Sequence, residues 1–296
     1  MELRHLRYFC AVAELEHFHK AAERLCITQP ALSNQIKQLE NELSTKLFLR
    51  VGRNVKLSES GEIVLDTARK ILNEVAFLKE TIHEVESGNQ GSLRVGVLQS
   101  INTLYCRQLV TAFDQMHPNI SLNLLELPNK EIEAGLIQGD LDVGIGFILN
   151  KSYNSALKFE LLFKEDWKLI TSKKNAIFGP RILNSASHPL KIVLFSHGFE
   201  TRSIVESYIT DNDIRTNNIT ELNKISLILD LVENGNSFSI LPEAFAKIHT
   251  QGQIKIFDLT PKLPEREIGL FFPKQRATKR SVENFCRLVR DLMAKK

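Results

Sequence analysis

Residues 18–43 read Phe-His-Lys-Ala-Ala-Glu-Arg-Leu-Cys-Ile-Thr-Gln-Pro-Ala-Leu-Ser-Asn-Gln-Ile-Lys-Gln-Leu-Glu-Asn-Glu-Leu, and they constrain this chain more than any other stretch. Ala21, Ala22 and Leu25 mark a short helix that ends in a turn around Cys26 and Ile27. Thr28-Gln29-Pro30 opens a second helix, whose apolar positions Leu32, Ile36, Leu39 and Leu43 recur at steps of four, three and four. Ser33, Asn34, Lys37, Gln38 and Asn41 fall on its other face. Two short helices about a tight turn, the second apolar beneath and amide-rich above, suit a helix-turn-helix laid in the DNA major groove. An ordinary αα-hairpin fits the same stripe equally well, so the rest of the chain must decide.

At 296 residues the chain is long enough for two or three domains. Its charged N-terminus, Met1-Glu2-Leu3-Arg4-His5, is unlike a signal peptide. No apolar run reaches transmembrane length, so no membrane partner is expected. Cys10, Cys26, Cys106 and Cys286 stand far apart with no Cys-x-x-Cys pair, as in a cytoplasmic chain with reduced thiols. The net charge of +3 lies entirely in residues 1–58, which hold nine Lys and Arg against six Asp and Glu. A positive end on a neutral body fits a nucleic-acid-binding head joined to a chain with another task.

Within that head, Leu3, Leu6, Phe9 and Val12 give a first amphipathic helix. Phe48-Leu49 and Val55-Lys56-Leu57 flank Gly52, a hairpin turn with Arg50, Arg53 and Lys56 around it. The pattern is a winged helix-turn-helix over residues 1–58, its wing reaching backbone phosphates or the minor groove. Residues 59–87 form one long helix. Its apolar positions Val64, Ala68, Ile71, Val75, Leu78, Ile82 and Val85 repeat at a period of 3.5, which predicts a dimerisation seam. The alternative is a helix packed on its own domain. Ser87-Gly88-Asn89-Gln90-Gly91-Ser92 then reads as a hinge. Beyond it, from residue 88 to 296, strands alternate with helices. Strands are expected at 93–98, 120–126, 141–147, 167–171, 192–195, 218–221, 237–241 and 267–272, and helices at 102–117, 130–138, 201–210, 224–233, 242–249 and 279–294. That order implies an α/β body with mostly parallel sheets, split in two subdomains.

These residues together resemble the LysR-type transcriptional regulators. The likeness rests on Ala21-Ala22, Leu25, Thr28-Gln29-Pro30-Ala31-Leu32-Ser33, Ile36, Leu39-Glu40, Leu43, Leu47-Phe48, Arg50 and Gly61. Further along, Asp140-Leu141-Asp142-Val143-Gly144-Ile145, Gly235 and Ile240-Leu241-Pro242 also match. It spans the whole chain and implies a periplasmic-binding-protein-like effector domain of two α/β subdomains, here 92–162 with 267–296, and 163–266. It also implies homo-oligomers, dimers through 59–87 and usually tetramers, a small-molecule co-inducer, and RNA polymerase as a partner of activators. Within the family, residues 139–147, Phe199-Glu200-Thr201-Arg202 and residues 225–242 look most like cyanate-responsive members. Three positions depart from the pattern: His19, where the family often has Ser, Thr or Gly; Asn34, where many relatives have Arg; and Ser44, usually Gly.

For DNA, Thr28 is the expected N-cap of the recognition helix, with Pro30 in its first turn. Gln29, Ser33 and Asn34 are placed to read base edges, and Lys37, Arg50 and Arg53 to meet phosphates, with Lys20 as a further backbone contact. Paired half-sites on double-stranded DNA would match a two-fold dimer.

In doubly wound sheets, ligands sit beyond the carboxyl ends of the strands. That rule selects Gln99, Ser100 and Thr103 after one strand, Asn129 and Phe147 after two more, and Phe199, Thr201 and Arg202 before a helix of the second subdomain. Hydroxyls and N–H groups at two facing helix starts favour a small anion, although Glu200 opposes one. A ligand preferring one closure of the subdomains would shift how the paired heads sit on DNA. Enzyme readings find no support, because Gly144-x-Gly146 lacks the rest of a dinucleotide fingerprint and no phosphate loop or Gly-x-Ser-x-Gly is present. No cofactor is expected, and His17-x-His19 has no partner at metal spacing.

Overall fold

Apolar residues at helical spacing build the head from three helices, α1 (Leu3–Leu15), α2 (Phe18–Arg24) and α3 (Gln29–Glu42), and a two-stranded hairpin, β1 (Phe48–Val51) with β2 (Asn54–Leu57). The computed structural model describes residues 1–52, 54–87, 91–148, 155–175, 190–248, 253–274 and 279–294. Leu6, Phe9, Val12, Ala21, Ala22, Leu32, Ile36, Leu39 and Leu47 close the core of the head. The Phe48 ring lies 5.3 Å from that of Phe9 and 5.7 Å from that of Phe18, so the hairpin is pinned by aromatic packing. A ring wholly removed from water, as that of Phe9 is, contributes about 1.5–3 kcal/mol, and the half-buried Phe18 and Phe48 contribute less. Leu43, expected to continue the apolar stripe, is instead the exposed C-cap of α3.

Local backbone chemistry fixes the turns. Thr28 Oγ1 accepts from the Ala31 N–H at 3.4 Å, and Pro30 occupies the first turn of α3, where its missing N–H costs nothing. Cys26 holds the helix-turn-helix turn at φ 55°, and Gly52 turns the hairpin at φ 62°. Ser44 follows α3 at φ 53°, a left-handed conformation that glycine would adopt without strain. At the start of α2 the cap is His17, whose Nδ1 accepts from the Lys20 N–H at a long 3.5 Å. His19 lies in the first turn and pairs with Glu23 at 3.3 Å, so it is not the capping position. Gly61 is required by close approach, since a Cβ there would stand 2.2 Å from the Leu47 carbonyl oxygen.

The long helix α4 (Glu59–Ser87) divides its seam. Val64, Ala68 and Ile71 pack into the head beside α1, whereas Leu78 and Ile82 remain 58% and 49% exposed. The 3.5-residue period therefore serves two surfaces, and its first half is filled intramolecularly. The same helix is fastened to the body. Asn73 Nδ2 donates to the Gln138 carbonyl at 2.8 Å and to Asp140 at 2.9 Å. Lys279, wholly buried beside the Phe77 ring, pairs with Glu80 and reaches Asp142 at 3.3 Å. Arg94 grips the same Asp142 through Nε and Nη2. No described helix is long and apolar enough to cross a membrane.

The body holds two five-stranded sheets. The first has the order β4 (Ile120–Glu126), β3 (Gly91–Val97), β5 (Val143–Phe147), β12 (Arg266–Pro273), β6 (Leu157–Glu165). The second runs β11 (Ile254–Asp258), β7 (Trp167–Ser172), β10 (Ser237–Pro242), β8 (Leu190–Phe195), β9 (Thr216–Leu222). In each sheet two strand pairs are parallel and two antiparallel, which corrects the expectation of mostly parallel sheets. The antiparallel pairs involve β6 and β11, neither of which was expected, and the strands that pair with them. The other strands and helices fall within a few residues of their expected bounds. The helix expected at 102–117 starts earlier and is not uniform: α5 (Gln99–Ile101) passes through a π-helical turn (Asn102–Cys106) into α6 (Arg107–Met116). The remaining helices are α7 (Asn129–Gln138), α8 (Glu200–Asp211), α9 (Ile225–Asn234), α10 (Glu243–Ile248) and α11 (Arg280–Met293). Leu93, Val95, Phe113 and Phe285 anchor the first core, and Trp167, Ile192 and Phe238 the second.

Candidate functional site

Two concave surfaces stand out. The first is a groove in the head between α3 and the hairpin, of about 580 Å³, whose walls include Gln29, Ser33, Lys37 and Arg50. Gln29, Lys37 and Arg50 are exposed, as are Thr28, Pro30 and Asn34 along the start of α3 and Lys20 on α2. Arg53 lies outside the described residues. Among those described, no ion pair engages Lys20, Lys37 or Arg50, whereas Arg24 is held by Glu14 at 2.8 Å. The floor is set by Glu40, a buried carboxylate absent from the sequence-based candidates. Its Oε1 accepts from the Leu47 N–H at 2.9 Å and its Oε2 pairs with Lys46 at 2.7 Å, which fixes the hairpin beside α3. The result is an exposed amide, hydroxyl and cationic surface on a rigid frame, of a size to enter a major groove.

The second surface is a cleft of about 270 Å³ between the two sheets, beyond the carboxyl ends of β3, β4, β5, β8 and β9. Of the expected ligand residues, Gln99, Ser100, Phe147, Phe199 and Thr201 line it. Gln99 Nε2 spans the cleft, donating to Glu126 at 3.2 Å and to the Asn223 carbonyl at 3.4 Å on the opposite wall. Phe195 and Phe245 add to the apolar lining, and the Phe195 and Phe199 rings stack 5.1 Å apart. Three expected residues do not line it. The Thr103 hydroxyl donates back to the Gln99 carbonyl at 2.8 Å within its own helix. Asn129 is fully buried, accepting from the Phe147 N–H at 2.7 Å and donating to Glu133 at 2.9 Å, so it supports the cleft from behind. Arg202 turns inward, donating to the Phe195 carbonyl at 3.1 Å and pairing with Glu206 and Glu221. Burial alone would pull the Arg202 guanidinium down, but those two carboxylates hold it above its ordinary range.

Sequence reasoning missed the most buried charge in the cleft. Arg266, at the start of β12, lines it and donates through Nε to Glu165 at 2.7 Å and through Nη2 to Ser100 Oγ at 3.1 Å. The only available signal was an arginine placed where the chain returns to the first sheet. Burial pulls its guanidinium downward, and Glu165 opposes that shift. Glu126 and Glu200 also line the walls. Burial raises the carboxyl of nearby Glu133, and the charge of Glu200 raises it further. The expectation of a small anion between two helix starts thus meets carboxylates at the cleft and a cation already paired.

Comparison with known proteins assigns both the head and the body. Residues 3–62 match the family described as bacterial regulatory helix-turn-helix protein, lysR family, and residues 86–294 match the LysR substrate binding domain. The transcriptional regulator BenM of Acinetobacter baylyi is 31% identical over 268 residues, covering 84% of this chain and 82% of BenM. A full-length OxyR variant from Pseudomonas aeruginosa superposes with a TM-score of 0.69 at 22% identity, over 98% of both chains. Full-length CbnR, solved in complex with its target DNA, has a TM-score of 0.67 at 23% identity, over 98% of this chain and 99% of its own. Head, linker helix and two-sheet body therefore form one regulator rather than an enzyme, and the chain belongs to the LysR family of DNA-binding transcriptional regulators.

Proposed function

We propose that the head reads paired half-sites on double-stranded DNA through α3 and the hairpin, under the control of a small molecule held between the two sheets of the body. The division runs from a head at 1–58, through a linker helix at 59–87, to an effector domain from 88 onward. Gln29, Ser33 and Asn34 read bases, with Thr28 and Pro30 setting the start of α3, while Lys20, Lys37, Arg50 and Arg53 meet phosphates. Leu78 and Ile82 supply the exposed half of a dimer seam on α4. Tetramer assembly, contact with RNA polymerase when the protein activates, and a cytoplasmic setting belong to the same reading. The single observation that carries it is the groove between α3 and the hairpin, which brings Gln29, Ser33, Lys37 and Arg50 to one surface.

On the other side, Gln99, Ser100, Phe147, Phe199 and Thr201 form the effector site, and Gln99 bridges the two walls to Asn223. A ligand that prefers the closed arrangement shifts the population of head spacings. A likeness to cyanate-responsive members gains no support from this cleft, because about 270 Å³ lined by four phenylalanines exceeds what a triatomic anion fills.

Salt titrations on a bound duplex test the DNA reading. Lys37→Ala should weaken binding to all sequences and flatten the salt dependence by about one unit. A Ser33 or Gln29 substitution should instead change the preferred base. An unchanged slope for Lys37→Ala, or equal losses on operator and random DNA for Ser33→Ala, contradicts these roles.

A further inference from the structure

We infer that the ligand of the inter-sheet cleft is an organic cation with an apolar, aromatic-sized body, a reading that rests on the cleft being the effector site. The charges of the cleft point that way. Among the described residues Arg266 is the one cationic side chain lining the cleft, and its Nε and Nη2 are already engaged by Glu165 and Ser100, with the Phe147 and Trp167 ring centroids 5.7 and 6.0 Å from its guanidinium. An incoming carboxylate that took the Nε and Nη2 donors would have to displace Glu165 from a buried pair, leaving that charge without compensation.

The carboxylates are placed differently. Glu126 lines the cleft from the end of β4 in the first sheet's subdomain, and Glu200 from the start of α8 in the second. Two like charges on facing walls resist closure unless a positive group lies between them. Glu126 accepts from Gln99 and from Asn102 at 2.6 Å, so its hydrogen bonds are neutral and its charge is not cancelled by them.

A second, independent observation agrees. One buried polar atom of a cleft-lining residue, Gln99 Oε1, has no partner among the described residues, and it is an acceptor. Gln99 has its amide oriented by the two acceptors its Nε2 serves, so the orphan atom is the oxygen. An acceptor without a donor calls for a ligand that brings N–H groups, as an ammonium or amidinium does. The walls supply the rest of the match: Phe147, Phe195, Phe199 and Phe245 present ring faces and edges to an apolar body, and ring faces attract cations. Seating the cation between Glu126 and Glu200 removes the repulsion between the walls, so this ligand class favours the closed cleft.

Calorimetric titration of the intact chain with two probes of matched body and opposite charge, 2-phenylethylammonium and phenylacetate, tests this. Wild type should bind the ammonium about tenfold tighter than the carboxylate. Glu126→Gln and Glu200→Gln should each erode that preference about fivefold, with thermal midpoints unchanged as the check on folding. Phe199→Ala should weaken both probes. If phenylacetate binds as tightly or tighter and Phe199→Ala still weakens it, the cation assignment is wrong while the cleft remains the site. If neither probe binds at millimolar concentration, or binding ignores Phe199→Ala, the effector-site reading fails and the inference falls with it.

Discussion

Replacing Glu40 with alanine should loosen the hairpin from the recognition helix by about 2 kcal/mol, without unfolding the body. The magnitude follows from what each carboxylate oxygen holds. Oε1 accepts from the N–H of Leu47, a residue with no solvent exposure, so its loss leaves a buried donor unsatisfied at a cost of about 1–3 kcal/mol. Oε2 meets Lys46, whose side chain is 70% exposed, so that pair contributes less than about 1 kcal/mol. Glu40→Gln keeps an acceptor for Leu47 and should cost little, and Lys46→Ala less than Glu40→Ala. Hydrogen exchange followed on peptides covering residues 45–57 reads the opening directly. Exchange in Glu40→Ala should be about thirtyfold faster, the equivalent of 2 kcal/mol, while peptides from the second sheet keep their wild-type rates. DNA affinity should fall in the same order as the exchange effect. Equal acceleration in Glu40→Ala and Lys46→Ala would refute the argument, because the exposed pair rather than the Leu47 bond would then hold the hairpin.

Three further outcomes follow from the same geometry. Ser44→Gly relieves a left-handed residue after α3 and should raise the stability of the head by about 1 kcal/mol, read from the same peptides; a loss of stability would contradict the strain. Leu78→Asp places a charge on the exposed half of the α4 seam and should shift the protein toward monomer in sedimentation, whereas an unchanged association state would remove Leu78 from the interface. Burial pushes the Asp142 carboxyl up, but the Arg94 hydrogen bonds and Lys279 together bring it below its ordinary value. Its contribution is therefore present above the unfolded value of about 3.9 and lost as pH falls through the lower folded value. Urea midpoints of wild type should drop in that acid range, and Asp142→Asn should flatten the drop.

The head was legible because its information is local. The stripe at Leu32, Ile36 and Leu39, the Thr28 cap and the Gly52 turn each act within a few residues, and each is found where spacing placed it. The seam on α4 shows the limit of period alone, since the same repeat serves the head at Ala68 and solvent at Leu78. In the body, the strands missed were β6 and β11, at the edges of their sheets, where pairing partners lie far along the chain. The cleft was half legible. Strand ends identified Gln99, Ser100, Phe147, Phe199 and Thr201, but side-chain direction lay beyond that rule. Thr103 and Arg202 bond backward to backbone carbonyls of their own segments, and Asn129 is consumed in bracing Phe147. Arg266 meets Ser100 across 166 positions of sequence, a contact that only the return of β12 to the first sheet creates.

The most direct test of the account is selection of bound duplexes from a random pool by the full-length protein, in parallel with Ser33→Ala. The account predicts a dyad-symmetric motif whose half-sites lie on one face of the duplex, a whole number of turns of about 10–10.5 base pairs apart. It also predicts that Ser33→Ala relaxes the preference at the same position in both halves. A motif without two-fold symmetry, or one identical for wild type and Ser33→Ala, would contradict reading by paired α3 helices.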